Sequence, residues 1–165
     1  MIVVADAGPI IHLSQLGHLD LVPALFGRVI VPRRVYDEIV QAGKGLPGST
    51  ELQGAPWVDL DERDLRTAVA RLLRNHLDAG EAEALGLALE VQADLVLSDD
   101  RQARIAAESL GLRVQGTLGI LLEARRQGKI QVLAPLLIHL RAKGVWLSDA
   151  LIERVLQEVG ESLEE

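Results

Sequence analysis

An α/β sandwich, with a central parallel sheet covered by helices on both faces, is the fold this sequence predicts. Three observations carry the prediction. Short runs such as "IVVA" (2–5), "RVIV" (28–31), "DLVLS" (94–98) and "LRV" (112–114) are apolar on both faces. Continuous apolarity is the mark of strands buried on both sides. Longer helix-like segments separate them, as parallel crossovers require. Only 2% of the residues are aromatic, so the core rests on Leu, Val, Ile and Ala.

In chain order, "IVVA" is the first strand, and "PIIHLSQLGHLDLVPALF" (9–26) the helical crossover to "RVIV". Pro32 suits a first helical position for "PRRVYDEIVQAG" (32–43), which Gly43 can stop. The Gly- and Pro-rich stretch 42–56 reads as a surface loop beside the site, and "PWVDL" (56–60) as a short edge segment. Helical patterns follow at 62–76, 79–92 and 99–111, around the strands "DLVLS" and "LRV", with Gly111 as a stop. Beyond residue 115 the chain is helical to its end, with Ser148 as the N-cap of the last helix. One domain over 1–160 is expected, with a core of 1–130, a helical part of 131–160 and a frayed tail of 161–165.

Composition narrows the function. The absence of cysteine removes disulfides, thiolate nucleophiles and Cys-ligated zinc. A net charge of -7 argues against a general nucleic-acid coat protein, though not against a nuclease whose carboxylates hold metal. No stretch approaches a membrane span and no leader precedes the first strand, so a soluble cytoplasmic protein without membrane contact is expected.

The candidate chemistry lies in acids at strand ends. Asp6 follows the first strand directly, and Asp99 and Asp100 follow "DLVLS". Ligands of open parallel sheets bind at such ends, where the strand order reverses. Each acid also has a local explanation. Asp6 can serve the turn before Gly8-Pro9, and Asp99 suits the N-cap of the helix after it. Asp78 and Glu81 have capping-box spacing. Glu38 can belong to an exposed helix face, and His12, on an apolar face, reads as a satisfied core residue. Converging carboxylates need a cation, and Mg²⁺ or Mn²⁺ with oxygen ligands meets that need. The four histidines show no metal-ligand spacing.

Four segments in order, "VVADAGPIIHLSQLG", "VIVPRRVYDEIV", "LDAGEAEALGLALE" and "DLVLSDDRQARIAAESLGLRVQGTLGILLEARRQGKI", resemble the PIN domain, most closely its VapC-like prokaryotic subgroup. The helical end "LLIHLRAKGVWLSDALIERVL" is similar to that subgroup as well. The resemblance implies a sheet of four or five strands and a Mg²⁺- or Mn²⁺-dependent endoribonuclease, the toxin of a toxin–antitoxin pair. Its catalytic acids would be Asp6, Glu38, Glu81 and Asp99, and its metal ligands Asp6, Glu81 and Asp99, with Asp100 competing for the last place. Arg33, Arg34, Arg101 and Arg104 are candidates for steering the RNA backbone. Implied partners are single-stranded RNA, a small antitoxin protein and a second copy of the chain, since relatives are often dimers. Many relatives carry a hydroxyl residue after the first Asp; here Ala7-Gly8-Pro9 follows, so that hydrogen bond is lost. The competing function is a PIN-like binding or assembly module without catalysis. An α/β phosphatase is disfavoured, because Gly8 occupies the place of its second Asp.

Overall fold

The computed structural model describes residues 1–63, 73 and 76–163. Its strands are β1 (Val3–Ala5), β2 (Val29–Pro32), β3 (Val58–Asp61), β4 (Leu95–Leu97) and β5 (Val114–Gln115). They form one sheet in the order β3-β2-β1-β4-β5, with every pair parallel. After β1 the chain builds outward through β2 and β3, then returns to the other side of β1 for β4. The carboxyl ends of β1 and β4 therefore flank the point where strand order reverses.

Helices α1 (Ala7–Gln15) and α2 (Leu21–Phe26) connect β1 to β2. Helix α3 (Arg33–Asp37) runs into a wider π-helical turn (Glu38–Ala42), and α4 (Ser49–Leu52) precedes β3. Then come α5 (Ala79–Glu90) before β4 and α6 (Arg101–Ser109) before β5, followed by α7 (Thr117–Arg126), α8 (Ala134–Ala142) and α9 (Asp149–Glu158).

The alternation of strand side chains divides the core in two. Val3, Ala5, Leu95 and Leu97 face a layer holding Ile10 and Leu13 of α1, Ile120 and Leu121 of α7, Leu137 and Leu140 of α8, and Ile152 and Leu156 of α9. Val4 and Val96 face the opposite layer, with Ala82 and Leu85 of α5 and Ala103 and Ala107 of α6. The three-layer sandwich follows directly from strands that have no polar side. Helix α5 buries Gly80, Ala82, Ala84, Gly86 and Ala88; the three alanines pack in the layer of Val4 and Val96, while Gly80 faces Glu38 and Val35.

Several local expectations are revised. Pro32 ends β2 in an extended conformation, and the helix starts at Arg33. The stretch 42–56 is not all loop: α4 forms there because Leu52 finds a place in the core, 1% exposed. The helix expected over 62–76 lies mostly outside the described residues, as do Arg71 and Arg74. Asp100, not Asp99, caps α6, its Oδ1 accepting the Ala103 N–H at 2.8 Å. The tail is not frayed at 161: the Glu161 carboxylate accepts from the Leu133 and Ala134 N–H groups and from Arg125 Nε. No helix among the described residues is long and apolar enough to cross a membrane.

Candidate active site

Asp6 leaves β1 and caps α1, its Oδ1 accepting the Ala7 N–H at 2.8 Å. The β1–β4 register pairs Ala5 with Leu97, so Asp6 and Ser98 emerge side by side. Ser98 Oγ donates to Asp6 Oδ2 at 3.4 Å, so a hydroxyl from β4's end supports Asp6 where the sequence after Asp6 offers none. Asp6 is 6% exposed. Burial, aided by the charges of Asp78 and Glu38 and opposed by the Ala7 and Ser98 hydrogen bonds, pushes its carboxyl up to about 7.

The first turn of α5 supplies the next acids. Asp78 and Glu81 form a reciprocal capping box: Asp78 Oδ1 accepts the Glu81 N–H at 2.8 Å, and Glu81 Oε2 accepts the Asp78 N–H at 3.1 Å. The cap does not remove Glu81 from the cluster. Burial, then the charges of Asp78, Asp100 and Asp6, raises its carboxyl to about 7 despite the bond from Asp78 N–H. Glu38, on the π turn, is also raised, by burial and by Asp78. Its carboxylate reaches over the start of α5 at Gly80, where a Cβ would stand 2.7 Å from Glu38 Oε2. Gly80→Ala is expected to leave the melting curve unchanged, because the flexible end of Glu38 can swing away. A cleavage activity that needs Glu38 in place should fall by up to about a hundredfold; rate and melting measurements on one preparation check both halves.

Asp99 is bonded differently. Its Oδ1 accepts the Thr117 N–H at 2.7 Å, and its Oδ2 accepts the Thr117 hydroxyl at 2.5 Å and the His12 ring at 2.6 Å through Nδ1. Two glycines leave it room: a Cβ on Gly116 would meet Asp99 Oδ1 at 2.7 Å, and one on Gly8 would meet Asp99 Cβ at 3.2 Å. Burial pushes the Asp99 carboxyl up, but the bonds from His12 and Thr117 outweigh it and hold it below the usual range. The site thus contains carboxyls poised near neutrality and one pinned as a carboxylate, the pattern that separates roles among like groups.

The structure thus gathers Asp6, Glu38 and Glu81 electrostatically, with Asp78 and Asp100, and gives Asp99 to Thr117 and His12. Beside them opens a groove of about 920 Å³, lined by Glu38, Asp78 and Gly80 and by Arg33, Arg34 and Arg63. Each of these arginines already has a carboxylate partner: Arg33 with Glu62, Arg34 with Glu83, Arg63 with Asp61. The Arg33–Glu62 pair is exposed on both sides and weak enough to be exchanged for a phosphate, whereas Glu83 and Asp61 are largely shielded beneath Arg34 and Arg63, and Arg63 holds Asp61 through both Nε and Nη2. Arg101 and Arg104 are exposed on α6 and do not line this groove. Sequence reasoning missed Arg63, Ser98 and Thr117, saw Asp78 only as a cap, and took His12 for a core residue. Thr117 was within reach, since it follows the carboxyl end of β5, which opens on the same side as β1 and β4.

A family model described as a PIN domain matches residues 2–161. The chain belongs to the PIN-domain family. PIN domains are generally nucleases and generally use divalent metals. Comparisons with curated proteins and with solved structures return no match.

The donor set here suits a hard divalent cation: every acid offers oxygen, and Gly80 keeps open the space that the Glu38 carboxylate fills. Among the described residues no three His, Asp or Glu side chains converge as a finished cage. An ion at this PIN site would therefore be held by a few carboxylates and several waters, as Mg²⁺ is when bound without a dedicated cage.

Proposed function

We propose that this PIN domain is a Mg²⁺- or Mn²⁺-dependent endoribonuclease acting on single-stranded RNA in the cytoplasm. We read it as the toxin of a toxin–antitoxin pair in the VapC-like subgroup. The carrying observation is the set of raised carboxyls, Asp6, Glu81 and Glu38, at the switch point of a parallel sheet. Asp6, Glu81 and Glu38 would hold the cation, with Asp100 beside Glu81. A divalent ion supplies Lewis-acid polarisation of a phosphoryl oxygen and a more acidic water. Glu81, more open than Asp6, accepts the proton of the attacking water at its carboxylate. Arg33, Arg34 and Arg63 orient the RNA backbone along the groove. The sequence resemblance to the VapC-like subgroup supports a small antitoxin protein as partner and a second copy of the chain as the assembly.

The test is cleavage of a diverse single-stranded RNA pool in Mn²⁺ and in chelator. Metal-dependent cleavage supports the reading, and intact RNA under every metal overturns it. Growth arrest on expression, relieved by a small protein from the neighbouring reading frame, tests the toxin role.

A second reading, a PIN-like binding or assembly module without catalysis, is favoured by one observation: no finished three-ligand cage exists among the described residues. Metal-dependent stabilisation separates the two. At about a hundredfold over its Kd, Mn²⁺ should stabilise the nuclease by about 2.7 kcal/mol, a rise of about 5–10 °C. The rise should be largest above pH 7, where the cation relieves repulsion between ionised Asp6 and Glu81. A flat thermal profile at millimolar Mn²⁺ would favour the module.

A further inference from the structure

We propose that Asp37 and Gln41 form a base-reading subsite that favours adenine or cytosine over uracil or guanine at the nucleotide beside the cleaved phosphodiester. The inference rests on the single-stranded RNA reading and adds a sequence preference to it. Both residues line the groove of about 920 Å³, with Glu38 and Gly80 at its acidic end and Arg33 and Arg63 beyond. A space of that size exceeds a phosphate and admits a base with its sugar. The wider π turn over Glu38–Ala42, closed by the Gly43 N–H on the Glu38 carbonyl at 3.1 Å, brings residues four apart almost into line. Gln41 therefore stands over Asp37 on one wall of the groove.

Asp37 supplies an acceptor that the described residues leave unused. Its Oδ1 is enclosed without a hydrogen bond among them, and Arg33 Nε, at 3.9 Å, is too far to provide one. The side chain is 39% exposed, which leaves Oδ2 open in a residue that lines the groove. A carboxyl group keeps an accepting oxygen in either protonation state, so the contact does not depend on the charge of Asp37. Gln41 is exposed and adds one acceptor, Oε1, and one donor, Nε2. Two acceptors and a donor match an exocyclic amino group beside a bare ring nitrogen. Adenine and cytosine have that pattern: carboxylates accept from cytosine N4, and Gln pairs with adenine N6 and N7. Uracil and guanine put a carbonyl oxygen in the place of the amino group, opposite the Asp37 oxygen. Only an unpaired strand offers these edges to a side wall of a groove. The position suits the chemistry as well. Glu38 turns toward Gly80 of α5, whereas Arg33 turns toward Asp37 and toward Glu62, just past β3. The subsite thus lies on the β3 side of the acids, one turn from a phosphate held at Glu38.

The experiment measures binding of short oligoadenylate, oligocytidylate and oligouridylate strands of equal length by fluorescence anisotropy. It is run in chelator and again in Ca²⁺, a hard cation that takes oxygen ligands. The wild type is expected to bind the adenine strand, the cytosine strand or both about three- to tenfold more tightly than the uracil strand, the worth of one hydrogen bond. The stronger of the two identifies the preferred base. Asp37→Ala and Gln41→Ala, each checked for a native circular dichroism spectrum and melting curve, should bring the ratio close to one. Asp37→Asn, which keeps a carbonyl acceptor, should retain most of it, a rescue that a merely structural role would not show as a difference between strands. Equal binding of all three strands, tightest binding of the uracil strand, or binding of none in either condition overturns the inference. So does a ratio that survives both alanine substitutions. Added Mn²⁺ in parallel samples reports cleavage separately: uncut strands refute the nuclease reading, while the affinity ratio still decides the role of Asp37 and Gln41.

Discussion

Asp6→Asn is expected to reduce metal-dependent RNA cleavage by at least about a hundredfold and, at pH 8 without metal, to make the protein more stable than wild type. Both effects have one origin. Asp6 is buried, faces the charges of Asp78 and Glu38, and has its carboxyl raised from 3.8 to about 7. A raised acid favours the folded state while it is protonated. That contribution is complete below the unfolded value, declines as pH rises from about 4 to 7, and is gone above the folded value. Its full size is about 4 kcal/mol, as an order of magnitude. Asn carries no charge at any pH, so the variant should gain on the wild type as pH rises through this window and match it near pH 4. Metal should narrow the gap at pH 8 from the wild-type side, because the wild type has the Asp6 anion to neutralise in addition to Glu81 and Glu38, which both proteins share. Thermal melts at pH 4, 6 and 8, with and without Mn²⁺, check the sign. A variant less stable than wild type at pH 8 would mean that Asp6 is structural.

That a residue can be needed for the chemistry and harmful to the fold explains why Asp6 was legible in the sequence. Nothing in a packed sheet calls for an acid straight after "IVVA". Strand ends and helix starts in an α/β fold are set by short-range pattern, so Asp6 and the pair Asp99-Asp100 at strand ends, and Glu81 in the first turn of α5, could all be located. Their division of labour could not. Which of two adjacent acids caps α6 depends on partners far away: Thr117 lies 18 residues from Asp99, and His12 lies 87. The same limit hid the hydroxyl on Asp6, which comes from Ser98, 92 residues on. Local pattern also gave a capping explanation for Glu81 that is correct and incomplete, because one oxygen in a cap leaves the group's charge in the cluster. In the stretch 42–56, Gly and Pro mask α4, which exists for the burial of one leucine, Leu52.

Glu161→Ala is expected to destabilise the protein by about 2–3 kcal/mol, from a lost helix cap and a lost ion pair, lowering the melting point by about 4–12 °C. The Glu161 carboxylate accepts the Leu133 N–H at 2.9 Å and the Ala134 N–H at 3.1 Å, satisfying the start of α8, and binds Arg125 Nε of α7 at 3.0 Å. It therefore latches the chain's end to two helices at once. Although partial burial pushes its carboxyl up, these bonds outweigh it and hold the group below 4.5. An acid lowered in this way contributes stability above its unfolded value and loses it as pH falls through the folded one. The difference between wild type and variant should stay constant from pH 8 to 5 and shrink at lower pH. Glu161→Gln, which keeps a carbonyl acceptor, should lose less than Glu161→Ala. Cleavage well below the melting point should not change, for a geometric reason. Glu161 holds the C-terminal end of α7 at Arg125, whereas the site depends on its N-terminal end, where Thr117 is fixed to Asp99. If Glu161→Ala instead lowers activity at temperatures where it remains folded, the two ends of α7 are coupled, and the latch is part of the site's support.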